Sequence, residues 1–343
     1  MKISILVLNA CDLGGIERSS FTLVKTLKNA GHDVELVSVY ENDVIDLDRP
    51  VSYRLLTGRN ELTKIKNYIK QLDESTIIIS AYDRFSFLIS ILSLFLRKKH
   101  KLIAHQHADY YAHNIRVRFL RKISYRIGCN AIVCLTKTDF EYYNKWHPNC
   151  VVIPNILDID QLQLLENHNT RRTTDFLAAG RLHPIKRFED FINLQSQLSL
   201  KHHVTFKLFG HGEDYDRLIN ISSAANKIMH GSTKNMFAEM QDAKFFIVTS
   251  YRESFSMVIV EAMAAGCIVI SYNCPTGPAE IITDGVDGFL IDNGNFTSLV
   301  DKCSLLLESD LNLDAMRENS RVSARKYYPE NVVKKWNTLF NKI

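Results

Sequence analysis

The sequence lacks the features that mark several classes of protein. Its seven cysteines are scattered, odd in number and never arranged as C-x-x-C, which argues against a disulfide framework and against a structural zinc site. The first residues turn polar after a short apolar start, so we expect no signal peptide. The longest apolar run, residues 85–96, is too short to span a bilayer. These absences favour a protein of the reducing cytoplasm.

Acidic residues are also nearly absent from one part of the chain. The net charge is only +4, but residues 84–137 hold eleven basic residues and a single acid, Asp109. Such a surplus indicates an anionic partner for the first half of the chain. A nucleic acid is a poor candidate, because the segment shows no known motif with interleaved stacking aromatics.

One helix predicted within this basic segment has an amphipathic pattern. In residues 114–128 the side chains of Leu120, Ile123 and Ile127 share a face. The pattern favours reversible docking on an anionic membrane surface, with a solvated helix face as the alternative. We therefore expect a cytoplasmic protein that is peripheral on the inner face of the cytoplasmic membrane. The cations expected to contact lipid are Arg116, Arg118, Arg121, Lys122 and Arg126.

Short apolar strands alternate with amphipathic helices along the whole chain, which predicts doubly wound parallel sheets. The length fits two domains facing a central cleft, towards which the carboxyl ends of both sheets would point. We predict a first domain at 1–165, a second domain at 166–326 and a C-terminal helix at 327–343. The predicted strands cover 2–8, 34–39, 76–80, 101–105, 131–135 and 151–154, then 176–179, 204–209, 245–249, 268–271 and 288–291.

Two cations follow a predicted strand and precede a helix. Arg181 and Lys186 lie in Gly-Arg-Leu-His-Pro-Ile-Lys. The end of a parallel strand beside a helix N-terminus favours anions, and both side chains suit phosphate oxygens. Two solvated surface cations are an equally weighted alternative.

Glycine pairs follow two other predicted strands. Gly210-x-Gly212 and Gly14-Gly15 would each let the backbone approach a ligand closely, but tight turns explain them as well. His105 and His107 end a strand of the first half, and either could act as a base or hydrogen-bond donor. We expect their spacing to place them on opposite faces of the strand, so that at most one faces the ligand.

The segment from Glu253 to Gly266 predicts a helix that is apolar on every side apart from Glu261. Such a helix is expected to be buried. A buried carboxylate needs a partner, either a distant arginine in an ion pair or the hydroxyl groups of a ligand. The spacing of the two acids alone carries little weight, because acidic residues are common in the chain.

Taken together, these motifs resemble glycosyltransferase family 4, retaining enzymes of the GT-B fold. The resemblance rests on Gly14-Gly15, Gly180-Arg181 with Lys186, Gly210-x-Gly212, the Glu253–Glu261 segment and Pro275-Thr-Gly-Pro-Ala-Glu280. The stretch around Cys274 is similar to a subgroup that builds bacterial surface polysaccharides. The resemblance implies transfer of a hexosyl or N-acetylhexosaminyl group from UDP-Gal, UDP-GalNAc, UDP-Glc or UDP-GlcNAc, without a metal or other cofactor.

The resemblance implies that the domain at 1–165 binds the acceptor, that the domain at 166–326 binds the nucleotide sugar and that the helix at 327–343 crosses back to the first domain. It also implies roles for single residues. Arg181 and Lys186 would hold the donor diphosphate, Glu261 the ribose hydroxyls and Glu253 the donor sugar. His107, rather than His105, would orient the reacting groups. The remaining donor-binding positions implied are Gly14, Gly15, Gly210, Gly212, Ser254, Phe255 and Ser256.

The acceptor implied is a hydroxyl of a glycan or of a lipid-linked glycan in capsule, O-antigen or exopolysaccharide assembly. Alternatives within the fold are a nucleotide-sugar epimerase or hydrolase and a GDP-mannose-dependent mannosyltransferase. A retaining phosphorylase is a further relative, but nothing in the sequence suggests a pyridoxal site.

Overall fold

The computed structural model describes residues 1–12, 14–41, 52–158, 172–308 and 313–343. The chain divides into two compact units, residues 1–156 together with 329–343, and residues 157–328. The predicted domain boundary at residue 165 falls among residues 159–171, outside the described residues. The last helix of the chain, Pro329–Lys342, belongs to the first unit.

The first unit is built on a parallel sheet. Its strands are β1 (Lys2–Asn9), β2 (Asp33–Tyr40), β3 (Tyr53–Leu55), β4 (Ile77–Ser80), β5 (Lys101–Gln106), β6 (Ala131–Cys134) and β7 (Cys150–Val152). Among the described residues they lie in the order β3-β2-β1-β4-β5-β6-β7. The chain winds outward in both directions from the β1–β4 pair, which is the doubly wound pattern that the sequence predicts. The three-residue β3 is not predicted, because it is too short to show a periodic pattern.

Helices cover the faces of this sheet because each has one apolar stripe. The core joins Ile5 and Val7 of β1 to Val24 and Leu27 of the first helix and to Trp336 of the last helix, all of them buried. The helices of this unit that precede the last one are α1 (Gly15–Asn29), α2 (Glu61–Gln71), α3 (Asp83–Phe95), α4 (Ile115–Gly128) and α5 (Lys137–Asn144).

The expected role of Arg121 at a membrane is wrong. Its side chain is only 2% exposed, and its guanidinium donates to Asp83 at 2.8 Å and to the carbonyl of Tyr110 at 3.1 Å. Burial alone would raise the pKa of Asp83, but hydrogen bonds from His113 and Tyr125 and the charge of Arg121 lower it to about 2. Arg121 is therefore fixed to a permanent carboxylate on the inner side of α4 and cannot reach lipid.

The second unit contains a smaller parallel sheet. Its strands are β8 (Thr174–Ala179), β9 (Phe206–Phe209), β10 (Ala243–Val248), β11 (Ile268–Asn273) and β12 (Gly288–Asp292). The described strands lie in the order β12-β11-β10-β8-β9. The ring of Phe176 stacks on those of Phe206 and Phe245, with centroids 4.8 and 5.4 Å apart. Aromatic residues of three neighbouring strands thus form the centre of this core.

The helices of the second unit follow the predicted order with two differences. A short helix, Pro278–Ile281, is present where none is predicted, and the single helix predicted at 213–224 is replaced by two short ones, Tyr215–Ile219 and Ala225–Ile228. Asn220 donates to the carbonyl of Asp216 at 2.7 Å and ends the first of them, because such side chains compete with the helical backbone for hydrogen bonds. The helices are α6 (Phe188–Leu198), α7 (Tyr215–Ile219), α8 (Ala225–Ile228), α9 (Met236–Asp242), α10 (Met257–Ala264), α11 (Pro278–Ile281), α12 (Phe296–Glu308) and α13 (Asp314–Ala324), before α14 (Pro329–Lys342) in the first unit.

Candidate active site

Two loops that follow neighbouring strands of the second unit are packed closely through glycines. Gly180 begins the loop after β8, and Gly210 begins the loop after β9. A Cβ atom on Gly210 would lie 2.1 Å from the carbonyl oxygen of Gly180, and one on Gly212 would lie 2.2 Å from that of Leu182. The N–H of Leu182 also donates to the carbonyl of His211 at 2.9 Å. A side chain at Gly210 or Gly212 would thus collide with the neighbouring loop. Contacts between the two loops explain both glycines without a ligand.

The paired loops carry Arg181 at the carboxyl edge of the sheet. Its guanidinium lies 3.2 Å from Glu213, and the imidazole of His183 lies 3.3 Å from the other oxygen of the same carboxylate. The side chains of Arg181 and Glu213 are both largely exposed. Exposed pairs of this kind are weak, so an incoming anion can displace Glu213 at little cost.

Lys186 ends a single turn of 3-10 helix, Pro184–Lys186, that follows the same loop. Its side chain passes next to Gly180, where a Cβ atom would lie 4.0 Å from the Cε atom of Lys186. Its ammonium lies 2.6 Å from a carboxylate oxygen of Glu253, and the side chains of both residues are largely buried. The predicted cation after β8 and the predicted acid before α10 are therefore brought together.

Glu253 is held by the loops that follow β10 and β11. The hydroxyl of Ser250 donates to the same carboxylate oxygen at 2.7 Å, and the hydroxyl of Thr276 donates to the backbone carbonyl of Glu253. Gly277 has a positive φ of 80°, and a Cβ atom there would lie 2.8 Å from the carbonyl oxygen of Phe255. Burial, with a smaller effect of the charge on Glu253, raises the pKa of the Cys274 thiol to about 12, so this thiol stays protonated.

The N-terminus of α10 lies at the end of this loop. Ser256 adopts a left-handed φ of 75° immediately before the helix, and its buried hydroxyl has no hydrogen-bond partner among the described residues. Phe255 is buried edge-on against Tyr327, whereas Ser254 is half-buried. A buried hydroxyl without a partner costs stability, which favours a ligand that can bond to it.

The expectation that α10 is buried on every side is wrong, and so is the inferred deep burial of Glu261. Ile259, Val260 and Met263 are buried, but Met257 and Glu261 are only half-buried. Residues 257, 258 and 261 fall on one side of a helix, and this side is partly open. The carboxylate of Glu261 thus lies on the accessible face, and its position no longer demands a ligand to explain it.

In the first unit, the Gly14-Gly15 pair begins α1. A Cβ atom on Gly14 would lie 2.6 Å from a carboxylate oxygen of Glu17, whereas one on Gly15 would meet nothing within 4 Å. Glu17 is buried and accepts a short hydrogen bond from the hydroxyl of Tyr82. Burial raises the pKa of Glu17, although the bond from Tyr82 partly opposes this. Sequence reasoning assigned no role to Glu17, whose only signal was its place three residues after the first glycine.

His105 and His107 lie together at the end of β5. The expectation of opposite faces is wrong, because residues i and i+2 share a face of a strand. Their ring centroids are 4.1 Å apart, and Nε2 of His107 lies 3.2 Å from Nδ1 of His105. His105 also packs edge-on against Trp336 at 5.3 Å. Burial lowers the pKa of His107 to about 4 and, with a smaller effect of His107, lowers that of His105 well below its usual value.

The residues that sequence reasoning missed are those that hold the predicted ones. Glu213 binds Arg181, and Ser250 and Thr276 fix Glu253.

No group of three or more His, Cys, Asp or Glu side chains that could hold a metal ion is found in the described ranges. Among the helices described, none is long and apolar enough to cross a membrane.

Comparison with known proteins gives the family. A model described as glycosyl transferases group 1 matches residues 164–323, and a model described as Glycosyltransferase Family 4 matches residues 13–161. Between them the two models account for nearly the whole chain. The chain therefore belongs to these glycosyltransferases, and the predicted family is confirmed.

Relatives and solved structures agree with this assignment. The amylovoran biosynthesis glycosyltransferase AmsD of Erwinia amylovora is 26% identical over 99% of each chain. A Campylobacter jejuni enzyme, named GalNAc-alpha-(1->4)-GalNAc-alpha-(1->3)-diNAcBac-PP-undecaprenol alpha-1,4-N-acetyl-D-galactosaminyltransferase, is 22% identical over 100% of this chain and 99% of its own. The crystal structure of Anabaena HepE in complex with UDP matches with a TM-score of 0.82 at 16% identity over 100% of both chains. The predicted GT-B fold, with its two Rossmann-like units, is confirmed.

Proposed function

We propose that this glycosyltransferase moves a hexosyl or N-acetylhexosaminyl group from a nucleoside diphosphate sugar to a glycan hydroxyl, with retention of the anomeric configuration. The observation that carries the proposal is the Lys186 ammonium, held 2.6 Å from Glu253 beside the loop that bears Arg181. Two cations and a carboxylate at one sheet edge suit a ligand with both phosphate and hydroxyl groups.

The principal barrier to this reaction is the negative charge that develops on the departing diphosphate. Arg181 and Lys186 would bind its oxygens, and the N–H groups at the start of α10 would add the positive end of a helix dipole. A hydrogen bond to a charged group contributes about 1.5–3 kcal/mol. Two or three of them would supply roughly 3–9 kcal/mol of the roughly 8–23 kcal/mol that enzymes typically remove from a barrier.

We propose the following bond changes. The bond between the anomeric carbon and the diphosphate oxygen breaks, and its electron pair leaves with the diphosphate. The acceptor oxygen bonds to the same face of that carbon, and its proton passes to an oxygen of the leaving phosphate. Glu253 would bind hydroxyls of the donor sugar, and Glu261, on the open side of α10, would bind the ribose. We propose no metal in this scheme, since the cations balance the charge.

The hydroxyl of Ser256 supports a ligand at the start of α10. It is buried and without a partner among the described residues, and a phosphate or sugar oxygen would satisfy it. The backbone groups of Ser254 and Phe255 would line the same end of the helix. Gly210 and Gly212 act indirectly in this scheme, because they hold the loop that carries Arg181.

The first unit would supply the acceptor side. Glu17 crowds Gly14, and this contact explains the glycine there. Gly15 has room for a methyl group, so packing does not explain its lack of a side chain, and a nearby ligand would. We propose that the Gly14-Gly15 turn approaches the diphosphate and the acceptor. His107 would orient the acceptor as a neutral imidazole, because its pKa of about 4 leaves it uncharged at neutral pH.

The names of similar proteins suggest which donor and which acceptor to propose. HepE was crystallised with UDP, and the names of the two sequence relatives mention amylovoran and an undecaprenol-linked glycan. We propose a UDP-hexose or UDP-N-acetylhexosamine as donor and a glycan or lipid-linked glycan of a bacterial surface polysaccharide as acceptor.

The test is a panel of nucleotide sugars with release of the free nucleotide as readout. UDP-Gal, UDP-GalNAc, UDP-Glc, UDP-GlcNAc and GDP-mannose are each incubated with the protein, with and without a mixture of polyprenyl-linked glycans. Turnover of a UDP-sugar that needs the acceptor, with an α-linked product from an α-linked donor, supports the proposal. Release of the nucleotide without an acceptor favours a hydrolase, conversion of the donor into another nucleotide sugar favours an epimerase, and turnover of GDP-mannose alone favours a mannosyltransferase.

A further inference from the structure

Helix α4 turns its apolar side outward. Ile115, Phe119, Ile123 and Ile127 recur every four residues, so they form one stripe along the helix. Their exposed fractions are 73%, 63%, 43% and 54%. Helices on the surface of a globular protein normally bury their apolar stripe. This stripe therefore has no packing role within the described part of the chain.

The inner side of α4 explains why the helix lies this way round. Its buried residues are Arg121, Ser124 and Tyr125. Arg121 and Tyr125 both bond to Asp83 of α3, at 2.8 and 2.6 Å. Gly128 of α4 allows close contact with Ser90 of α3. A Cβ atom on Gly128 would lie 2.4 Å from the Cβ atom of Ser90. Charge-assisted bonds and a close helix contact thus fix the polar side inward and the apolar stripe outward.

Cations flank the stripe, and the segment 84–137 that carries them holds no exposed acidic residue. Arg116, Lys122 and Arg126 are exposed on α4. Asp109 is the only acidic residue between positions 84 and 137, and it is buried. An acidic protein or an anionic lipid surface would complement this charge, but the continuous exposed apolar stripe favours lipid.

Aromatic side chains lie at the N-terminal end of α4. Tyr110 stacks on Tyr142 at 5.0 Å, and Tyr111 is half exposed. The guanidinium of Arg118 lies 4.6 Å from the centroid of the Tyr111 ring. Tyrosines are enriched where a protein meets the headgroup region of a bilayer. Arg118 is thus half-buried against this ring, and its contact with lipid stays a prediction.

We propose that α4 docks on an anionic membrane by inserting its apolar stripe at the boundary between headgroups and acyl chains. Lys122, Arg126 and Arg116 then face the anionic headgroups. Exposed Leu94 and Phe95 at the end of α3 extend the surface beyond Gly128, because Ser90 lies against that residue. This docking goes beyond the proposed sugar transfer and does not depend on it.

The test is flotation of the full chain with lipid vesicles. Vesicles of phosphatidylcholine alone are compared with vesicles containing about one third phosphatidylglycerol. The protein is expected to float with the anionic vesicles. The F119S/I123S double variant is expected to lower the partition coefficient at least about tenfold, because two large apolar side chains are lost. The K122Q/R126Q double variant is expected to lower it about twenty-fivefold, at about fivefold for each cation.

A matched control uses exposed leucines of the second unit. Leu200 and Leu305 are 79% and 54% exposed, against 63% and 43% for Phe119 and Ile123, but lie away from α4 in the sequence and in the other unit. The L200S/L305S double variant is therefore expected to float as the wild type does. Circular dichroism shows whether each variant keeps its fold, and these positions are exposed enough to tolerate serine. Equal flotation of F119S/I123S and the wild type would overturn the proposal.

A second measurement separates insertion from adsorption. In a Phe119→Trp variant, anionic vesicles are expected to shift the emission of the new tryptophan to shorter wavelength, and brominated lipid is expected to quench it. An unchanged spectrum overturns insertion. Light scattering tests whether a second copy of the chain, rather than lipid, covers the stripe. A wild-type dimer that the F119S/I123S variant no longer forms, together with no binding to vesicles, would also overturn the proposal.

Discussion

The ammonium of Lys186 and the hydroxyl of Ser250 meet at the same oxygen of Glu253, at 2.6 and 2.7 Å. These residues come from the loop after β8 and the loop after β10, so the contact joins the ends of two neighbouring strands. The ammonium is thereby held in one place before any ligand arrives. Such preorganisation is what electrostatic stabilisation of a leaving group requires.

Removing the hydroxyl of Ser250 tests how much the fixed position of Glu253 and Lys186 contributes to turnover. Ser250→Ala deletes one bond to Glu253 and leaves Lys186 in place. A hydrogen bond of this kind contributes about 0.5–1.5 kcal/mol, so we expect kcat to fall about two- to tenfold. Steady-state release of UDP measures this. Ser196→Ala, which removes a half-buried hydroxyl bonded within α6, is the control and is expected to leave kcat unchanged.

Glu213 is predicted to compete with the donor for Arg181. Glu213→Gln removes the carboxylate 3.2 Å from the guanidinium but keeps the size of the side chain. Because the pair is exposed, the gain is small, and we expect UDP to bind up to about fivefold more tightly. Calorimetric titration with UDP measures this affinity. Weaker binding would mean that Glu213 holds Arg181 in its working position instead.

Replacement by alanine is predicted to destabilise the protein at the crowded Gly210 but not at the open Gly15. Gly210→Ala would place a Cβ atom 2.1 Å from the carbonyl of Gly180, so the midpoint of thermal unfolding is expected to fall by several degrees. Gly15→Ala meets nothing within 4 Å and begins a helix, so stability is expected to stay the same or rise slightly. Its donor turnover should nevertheless fall if the turn approaches a ligand. Full activity of Gly15→Ala would contradict that role.

The histidine pair predicts loss of stability in acid. The folded-state pKa of His107 is about 4, below its usual value of about 6.5. Above pH 6.5 the ring is neutral in both states, and its contribution to stability is fully present. Between pH 6.5 and 4 the unfolded state binds a proton that the folded state does not, so the free energy of unfolding falls, by about 1–3 kcal/mol.

Denaturant unfolding at several pH values checks this slope. His107→Asn is expected to flatten it, whereas His203→Asn, at an exposed position, is the control and should leave it unchanged. An equal slope in wild type and His107→Asn would show that the acid sensitivity has another source.

The sequence predicts the fold well because each unit repeats a strong local pattern. Strand β1 is a largely apolar run, so it is found within one residue of its predicted bounds, 2–8. The three-residue strand β3 and the break at Asn220 are missed, because each depends on a few side chains rather than on a repeating pattern.

The candidate site is predicted less completely, since its contacts join distant parts of the chain. Lys186 and Glu253 are identified from the sequence, but no local pattern shows that Ser250 and Glu213 bond to members of the site. The orientation of α4 is likewise set by Asp83, which lies 38 residues before Arg121. The expected burial of Glu261 is wrong because the side of α10 that bears Met257, Val258 and Glu261 is left partly open.

The central claim is that Lys186 stabilises the departing diphosphate of a UDP-sugar. The most direct measurement is the rate of UDP release from the preferred donor by wild type, Lys186→Ala and Lys207→Ala. Lys207 is a matched control, because it forms a similar half-buried pair with Glu239 at 2.8 Å. We predict that Lys186→Ala lowers the rate about a hundredfold or more, whereas Lys207→Ala stays near wild type. A rate for Lys186→Ala within about threefold of wild type, less than the loss of a single charged hydrogen bond, would contradict the account.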